Sequence, residues 1–199
     1  MQQNKPFNPR MIVFTAMFTA LIVAGSYLSF PLPVINLPIV LADFFVMLAG
    51  LCLGMAWGAA SVGMFLFLGA LGLPVFAGGR AGLVVFMGPT GGYLYGYLAA
   101  VFLIGWISGP HAGSLGKPNW FRDLAALITG NLIIFGLGIP WLKLVLKLSW
   151  DKSLTLGLLP FLIGNFIKII AALALIQVLR PLLKEFNVIP ESGASDEPA

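Results

Sequence analysis

The sequence predicts an all-α membrane protein of six transmembrane helices, both termini cytoplasmic, with an ordered glycine-rich extracellular loop between helices 3 and 4. Three observations carry this. Of 199 residues, 59% are hydrophobic and 9% charged, against about 25% charged in soluble domains. The apolar residues form runs near the length that crosses about 30 Å of hydrocarbon. Between the third and fourth runs lies LPVFAGGRAGLVVFMGPTGGYLYGY (Leu73–Tyr97), whose glycines and prolines no continuous helix accommodates.

Residues 1–10 are polar, carry Lys5 and Arg10, and form a cytoplasmic N-terminal segment. Helix 1 spans Met11–Phe30, longer than the 7–15-residue apolar core of a signal peptide. Its Ala16, Ala20 and Ala24 recur every four residues and share one face. Pro31, Pro33 and Pro38 mark an uncharged outer loop. Helix 2 is expected over Asn36–Cys52 with Asp43 inside it, and helix 3 over Met55–Leu71, with a hinge at Gly54. Gly58, Ala59, Ala60, Ser61 and Gly63 suit helix 3 to close packing.

Helix 4 is expected from near Gly88 to Ile107, followed by the polar connection SGPHAGSLGKPNWFRD. Helix 5 is placed over Leu124–Ile139, with Pro140 breaking it before an interfacial segment. There Lys143 and Lys147 share a face near Trp141 and Trp150. Helix 6 is placed over Leu154–Leu179 and stops at Arg180–Pro181. The membrane domain is thus residues 11–182, and residues 183–199 form a polar tail.

Charge orients the bundle. Six Lys or Arg fall on the terminal side (Lys5, Arg10, Lys117, Arg122, Arg180, Lys184) and three after helix 5 (Lys143, Lys147, Lys152). This excess places the termini inside and the Arg80 loop outside. The 11 Lys and Arg against 7 Asp and Glu fit an anionic leaflet better than nucleic acid, for which no basic, aromatic-interleaved segment exists. Cys52, the single cysteine, lies in an apolar run, and His111, the single histidine, in a polar loop, so no metal or disulfide framework is expected. HExxH, GxSxG, paired intramembrane aspartates and a Walker A lysine are missing, so no enzyme, catalytic residue or cofactor is expected.

Asp43 and Lys168 are the ionisable residues expected inside the membrane. A central lysine costs roughly 2.5–3.5 kcal/mol on insertion scales, which snorkelling or a polar cavity would relieve. Asn165 lies three residues before Lys168 on the same face, and Gly164 beside it leaves room for a cavity. Irregular backbone at membrane depth survives where it lines a cavity, so the Leu73–Met87 loop is a candidate lid, with Gly79 and Gly82 at unusual backbone angles and Arg80 at its centre. Tyr93, within GPTGGY, is expected beside a ligand, whereas Tyr95 and Tyr97 are expected to pack or anchor.

The segments VFAGGRAG and MGPTGGYLYG, flanked by LPIVLADFFVMLAGLCLG and LPFLIGNFIK, closely resemble the BioY family, the biotin-specific substrate-binding (S) subunits of energy-coupling-factor (ECF) vitamin transporters. The likeness covers nearly all of the chain outside its tails. It implies that biotin binds on the outer side and places Lys168 in the family's substrate motif; the candidate binding residues of this chain are Asp43, Gly79, Arg80, Tyr93, Asn165 and Lys168. It also implies docking of the Ala16–Ala20–Ala24 face on a transmembrane coupling subunit, driven by two cytoplasmic ATPase subunits. Solitary uptake has also been proposed for such proteins.

Three positions depart from the family pattern. Asn165 stands where a G-D-x-x-K motif has aspartate, Ala42–Asp43 where a Gln-Thr pair is common, and Arg80 where a small or amide residue is usual. The acid and the arginine gained are expected to compensate one another, leaving Lys168 to meet an anionic ligand group. Other readings are a different biotin-like or small carboxylate substrate, or an ion-coupled secondary transporter using Asp43 and Lys168. No internal repeat supports the latter.

Overall fold

A computed structural model of the chain describes residues 9–30, 38–108 and 119–185. Residues 1–8, the proline-rich segment 31–37, the connection bearing His111 and Lys117, and the tail 186–199 lie outside the described residues. The order is α1 (Pro9–Tyr27), β1 (Ser29–Phe30), β2 (Ile39–Val40), α2 (Ala42–Ala70), α3 (Val84–Met87), α4 (Gly91–Ser108), α5 (Trp120–Leu146), α6 (Trp150–Gly157) and α7 (Leu159–Glu185). Five of these, α1, α2, α4, α5 and α7, are long and apolar enough to cross a membrane.

Helix α2 reverses on itself. Gly54 has φ 75° and ψ −169°, a region essentially reserved for glycine. A Cβ on Gly58 would stand 3.0 Å from the Ala49 carbonyl oxygen. Asp43, near the start of α2, and Phe65, near its end, line the same cavity. In a straight helix they would be about 33 Å apart. The hinge expected at Gly54 is therefore the turn of a helical hairpin.

Small residues set the packing, as is usual where lipid gives no hydrophobic drive between helices. A Cβ on Gly105 of α4 would fall 2.3 Å from the Met55 nitrogen, so α4 rests directly on the Gly54 turn. Likewise, a Cβ on Gly96 would sit 2.9 Å from the Ile134 Cα of α5. Thr19 of α1 donates its hydroxyl to the Ser61 carbonyl at 3.0 Å, tying α1 to the second half of α2.

Boundaries differ from the sequence reading at several places. Helix α1 runs over Pro9–Tyr27 rather than Met11–Phe30, because Ser29 and Phe30 belong to a strand. Ile39 and Val40 pair with Phe30 and Ser29 in an antiparallel ribbon, so α2 begins at Ala42 rather than Asn36. Helix α4 begins at Gly91, not Gly88, because a one-turn helix, α3, occupies Val84–Met87 first. Pro140 does not end α5, which starts earlier, at Trp120, and runs to Leu146. The proline forgoes the ladder hydrogen bond to the Gly136 carbonyl, a local loss that the turns on either side of it survive. Lys147, expected on a face with Lys143, is instead the left-handed C-cap with φ 52°, while Lys143 stacks over Trp150 at 5.0 Å. The final segment divides at Leu158 into α6 and α7, and α7 continues through Pro181 to Glu185.

Candidate functional site

At the end of the bundle away from the Gly54 turn, the ribbon, the start of α2, the 71–90 connection and the upper parts of α4, α5 and α7 surround a cavity. It encloses about 690 Å³ of space, its open mouth included. Phe65, Phe76, Tyr93, Phe135 and Phe161 give it apolar walls. The connection is held by its own backbone: Phe76 N–H donates to the Arg80 carbonyl at 3.1 Å and Gly82 N–H to the Gly69 carbonyl at 2.7 Å. Tyr27 donates its hydroxyl to the Pro74 carbonyl. Gly78, Gly79 and Gly82 take φ of 69°, 72° and 83°, values that glycine alone adopts at no steric penalty.

The electrostatic centre of the cavity is a buried ion pair. The Lys168 ammonium donates to Asp43 Oδ1 at 2.8 Å and Oδ2 at 2.9 Å, to the Val40 carbonyl at 2.7 Å and to Asn165 Oδ1 at 3.3 Å. Lys168 and Asp43 are 8% and 7% exposed, and such burial is tolerated when the charges are paired and hydrogen-bonded. The expected compensation of Asp43 by Arg80 is thus corrected: the partner of Asp43 is Lys168, and the lysine is not left to an anionic ligand. The strand explains part of this. In a helix begun at Asn36 the Val40 carbonyl would bond within the helix, whereas in β2 it is available to the ammonium.

Of the residues singled out in the sequence, Asp43, Arg80, Tyr93, Asn165 and Lys168 all line the cavity. Gly79 does not; Ala77 and Arg80 on either side of it do. Arg80 is half-buried, its Nε donating to the Ala77 carbonyl at 3.1 Å. Tyr93 contributes its ring, because its hydroxyl donates to the Gly157 carbonyl at 2.9 Å. Tyr97, expected only to pack, also lines the cavity, and so do Ser26 and Thr90. The Tyr93–Tyr97 spacing of one helical turn was the signal for Tyr97.

The GPTGGY glycines serve close approach between protein segments. A Cβ on Gly91 would lie 1.9 Å from the Phe86 carbonyl oxygen, and one on Gly92 2.3 Å from Trp141 Cβ. Trp141 Nε1 donates to the Gly88 carbonyl at 3.0 Å. This stretch fastens the connection to α5.

A second buried pair, not anticipated, sits at the opposite end. Arg180 donates to Asp123 through Nη1 and Nη2, each at 2.6 Å, and through Nη2 to the Ser108 carbonyl at 3.3 Å. Ser108 in turn donates its hydroxyl to Asp123. Asp123 is 0% exposed. The sequence places Asp123 in the polar connection and Arg180 at the end of helix 6, whereas both are buried in the bundle, so Asp43 and Lys168 are not the sole ionisable groups within it. In α1, Ala16, Ala20 and Ala24 lie exposed along one face.

A multi-pass helical membrane protein with a cavity at one end, walled by apolar side chains and holding one of the two buried ion pairs among its described residues, is a small-molecule binding protein of the bilayer. A sequence profile described as the BioY family matches residues 1–185. A protein named Biotin transporter BioY from Thermotoga maritima is 36% identical over 163 residues, covering 82% of this chain and 91% of that one. A protein of the same name from Rhizobium etli is 37% identical over 183 residues, covering 87% and 96%. Among solved structures, the S-component for biotin from an ECF-type ABC transporter superposes with a TM-score of 0.80 at 34% identity, covering 87% of this chain and 92% of that one. The chain belongs to the BioY family.

Proposed function

We propose that this protein captures biotin on the outer face of the cell membrane as the S component of an ECF-type transporter. The observation that carries the reading is the cavity: an aromatic-walled chamber with one polar centre at Asp43–Lys168. Biotin has the matching form, an apolar bicyclic body with a polar ureido edge and a carboxylate at the end of an aliphatic chain. In this reading Asp43 and Asn165 meet the ureido end, Tyr93 and the phenylalanines hold the body, and Arg80 on the roofing connection receives the carboxylate. Lys168 acts through Asp43, which it orients.

The two arms of α2 count as separate crossings, giving six spans with the termini inside and the Arg80 connection outside. That orientation agrees with the distribution of Lys and Arg. The exposed Ala16–Ala20–Ala24 face of α1 docks a transmembrane coupling subunit, and two cytoplasmic ATPase subunits supply the energy. The test is calorimetric titration of the purified protein with biotin, lipoate, thiamine and riboflavin. Saturable binding of biotin and not of thiamine or riboflavin is the expected result, and no biotin binding would sink the reading.

A further inference from the structure

We infer that Tyr97 is a specificity-determining residue whose hydroxyl donates to the carbonyl oxygen of a cyclic urea, a role resting on the proposed biotin site. The argument is a count of donors at the polar centre. An ammonium has three N–H groups, and those of Lys168 are directed at Asp43, the Val40 carbonyl and Asn165 Oδ1. None remains for a ligand. The Asp43 carboxylate keeps lone pairs beyond those facing Lys168, so it can accept ligand N–H groups but donates nothing. A ureido group presents N–H donors on both sides of a carbonyl acceptor, and that acceptor needs a donor from another residue.

Tyr97 meets the need. It lines the same cavity as Asp43 and Lys168 and is 6% exposed. Among the described residues its hydroxyl has no hydrogen-bond partner, in contrast with Tyr93, which donates to Gly157. Ser26, also on the lining, already donates to the Ile22 carbonyl at 3.1 Å. The hydroxyl opens onto the cavity with its proton uncommitted to the protein, so a ligand acceptor placed there gains a hydrogen bond without breaking one inside the bundle. Thr90, ahead of the first residue of α4, lies nearly two turns away towards the mouth. Asn165 is the competing donor through its amide nitrogen.

The experiment pairs Tyr97→Phe with biotin and with 2-thiobiotin, whose ureido oxygen is replaced by sulfur, a weak acceptor. Tyr97→Phe should weaken biotin about five- to tenfold while changing 2-thiobiotin less than about twofold. The unliganded variant should unfold at about the same temperature as the parent, since the hydroxyl it loses makes no hydrogen bond to the protein. Equal losses for the two ligands, unchanged biotin affinity, or a fall in unliganded stability would each overturn the role of Tyr97. In the last case the hydroxyl is structural. A parent protein that fails to bind biotin is a different outcome: it overturns the proposed function and this inference with it. With the parent binding and the variant unchanged, only Tyr97 is displaced, and the same ligand pair on Asn165→Leu then identifies the donor.

Discussion

Asp43 and Lys168, 125 positions apart in sequence, meet at 2.8 Å with both carboxylate oxygens engaged. The pair joins the start of α2 to the middle of α7 across the floor of the cavity, so a change in either residue acts on stability as well as on binding. Lys168→Met leaves a buried carboxylate without its cation and should destabilise the protein by about 3–5 kcal/mol. Asp43→Leu combined with Lys168→Met removes both charges and should recover most of that stability while still failing to bind biotin. Thermal unfolding in detergent and calorimetry separate the two effects; a fully stable Lys168→Met would show that the pair is dispensable to the fold.

The acid can be moved. Lys168 already reaches Asn165 Oδ1 at 3.3 Å, one helical turn along α7. Asp43→Asn should therefore lower the unfolding temperature, and adding Asn165→Asp should restore it, because the ammonium regains a carboxylate without moving far. If the double variant is no more stable than Asp43→Asn, the α2–α7 crosslink matters rather than the local charge balance.

The helical hairpin depends on two glycines in contact. Gly54→Ala forces a side chain into a backbone region essentially limited to glycine, at about 1–3 kcal/mol. Gly105→Ala places a methyl 2.3 Å from the Met55 nitrogen, and overpacking of this kind costs about 1–3 kcal/mol. Denaturation of each single variant measures these values. A neutral Gly54→Ala would mean that the turn tolerates another geometry.

At the far end, Arg180→Met should destabilise the fold by about 3–5 kcal/mol by stranding Asp123. Biotin affinity of the folded fraction should stay within about twofold of the parent, because the pair does not border the cavity. A larger loss of affinity would reveal coupling between the two ends.

For helix α1, Ala20→Trp puts bulk on an exposed face that touches nothing in the cavity. Binding by the isolated protein should persist, and energised uptake in cells should fall sharply. Unchanged uptake would remove this face from the docking surface.

Much of this architecture is legible in the sequence because hydrophobic runs and glycine are strong signals. The Gly54 hinge and the irregular connection after Leu71 follow from them, whereas the grouping of Asp43, Arg80, Tyr93, Asn165 and Lys168, which line one cavity, was legible only with the family resemblance beside it. The pairing of charges follows from neither, since it depends on which helices lie adjacent. Chain position gives no clue that Lys168 faces Asp43, or that Asp123 and Arg180, each beside a polar segment, turn inward together. Pro140 misleads for a related reason: its local cost is fixed, while the packing that carries α5 past it is not written nearby. Gly79 was singled out as a binding residue and for an unusual backbone angle; the angle is present, at φ 72°, but the residue does not line the cavity.

Among the described residues, both buried cations, Lys168 and Arg180, belong to α7, and both buried acids, Asp43 and Asp123, lie on helices made before it. Order of synthesis therefore becomes part of the chemistry. At about 5–20 residues per second, Asp43 is synthesised roughly 6–25 seconds before Lys168. Until α7 inserts, the nascent bundle carries two carboxylates without partners, each unfavourable in hydrocarbon. The last helix thus serves as the checkpoint of assembly, and a chain ending before Leu159 should be cleared by membrane proteolysis much faster than the full protein in a pulse-chase measurement.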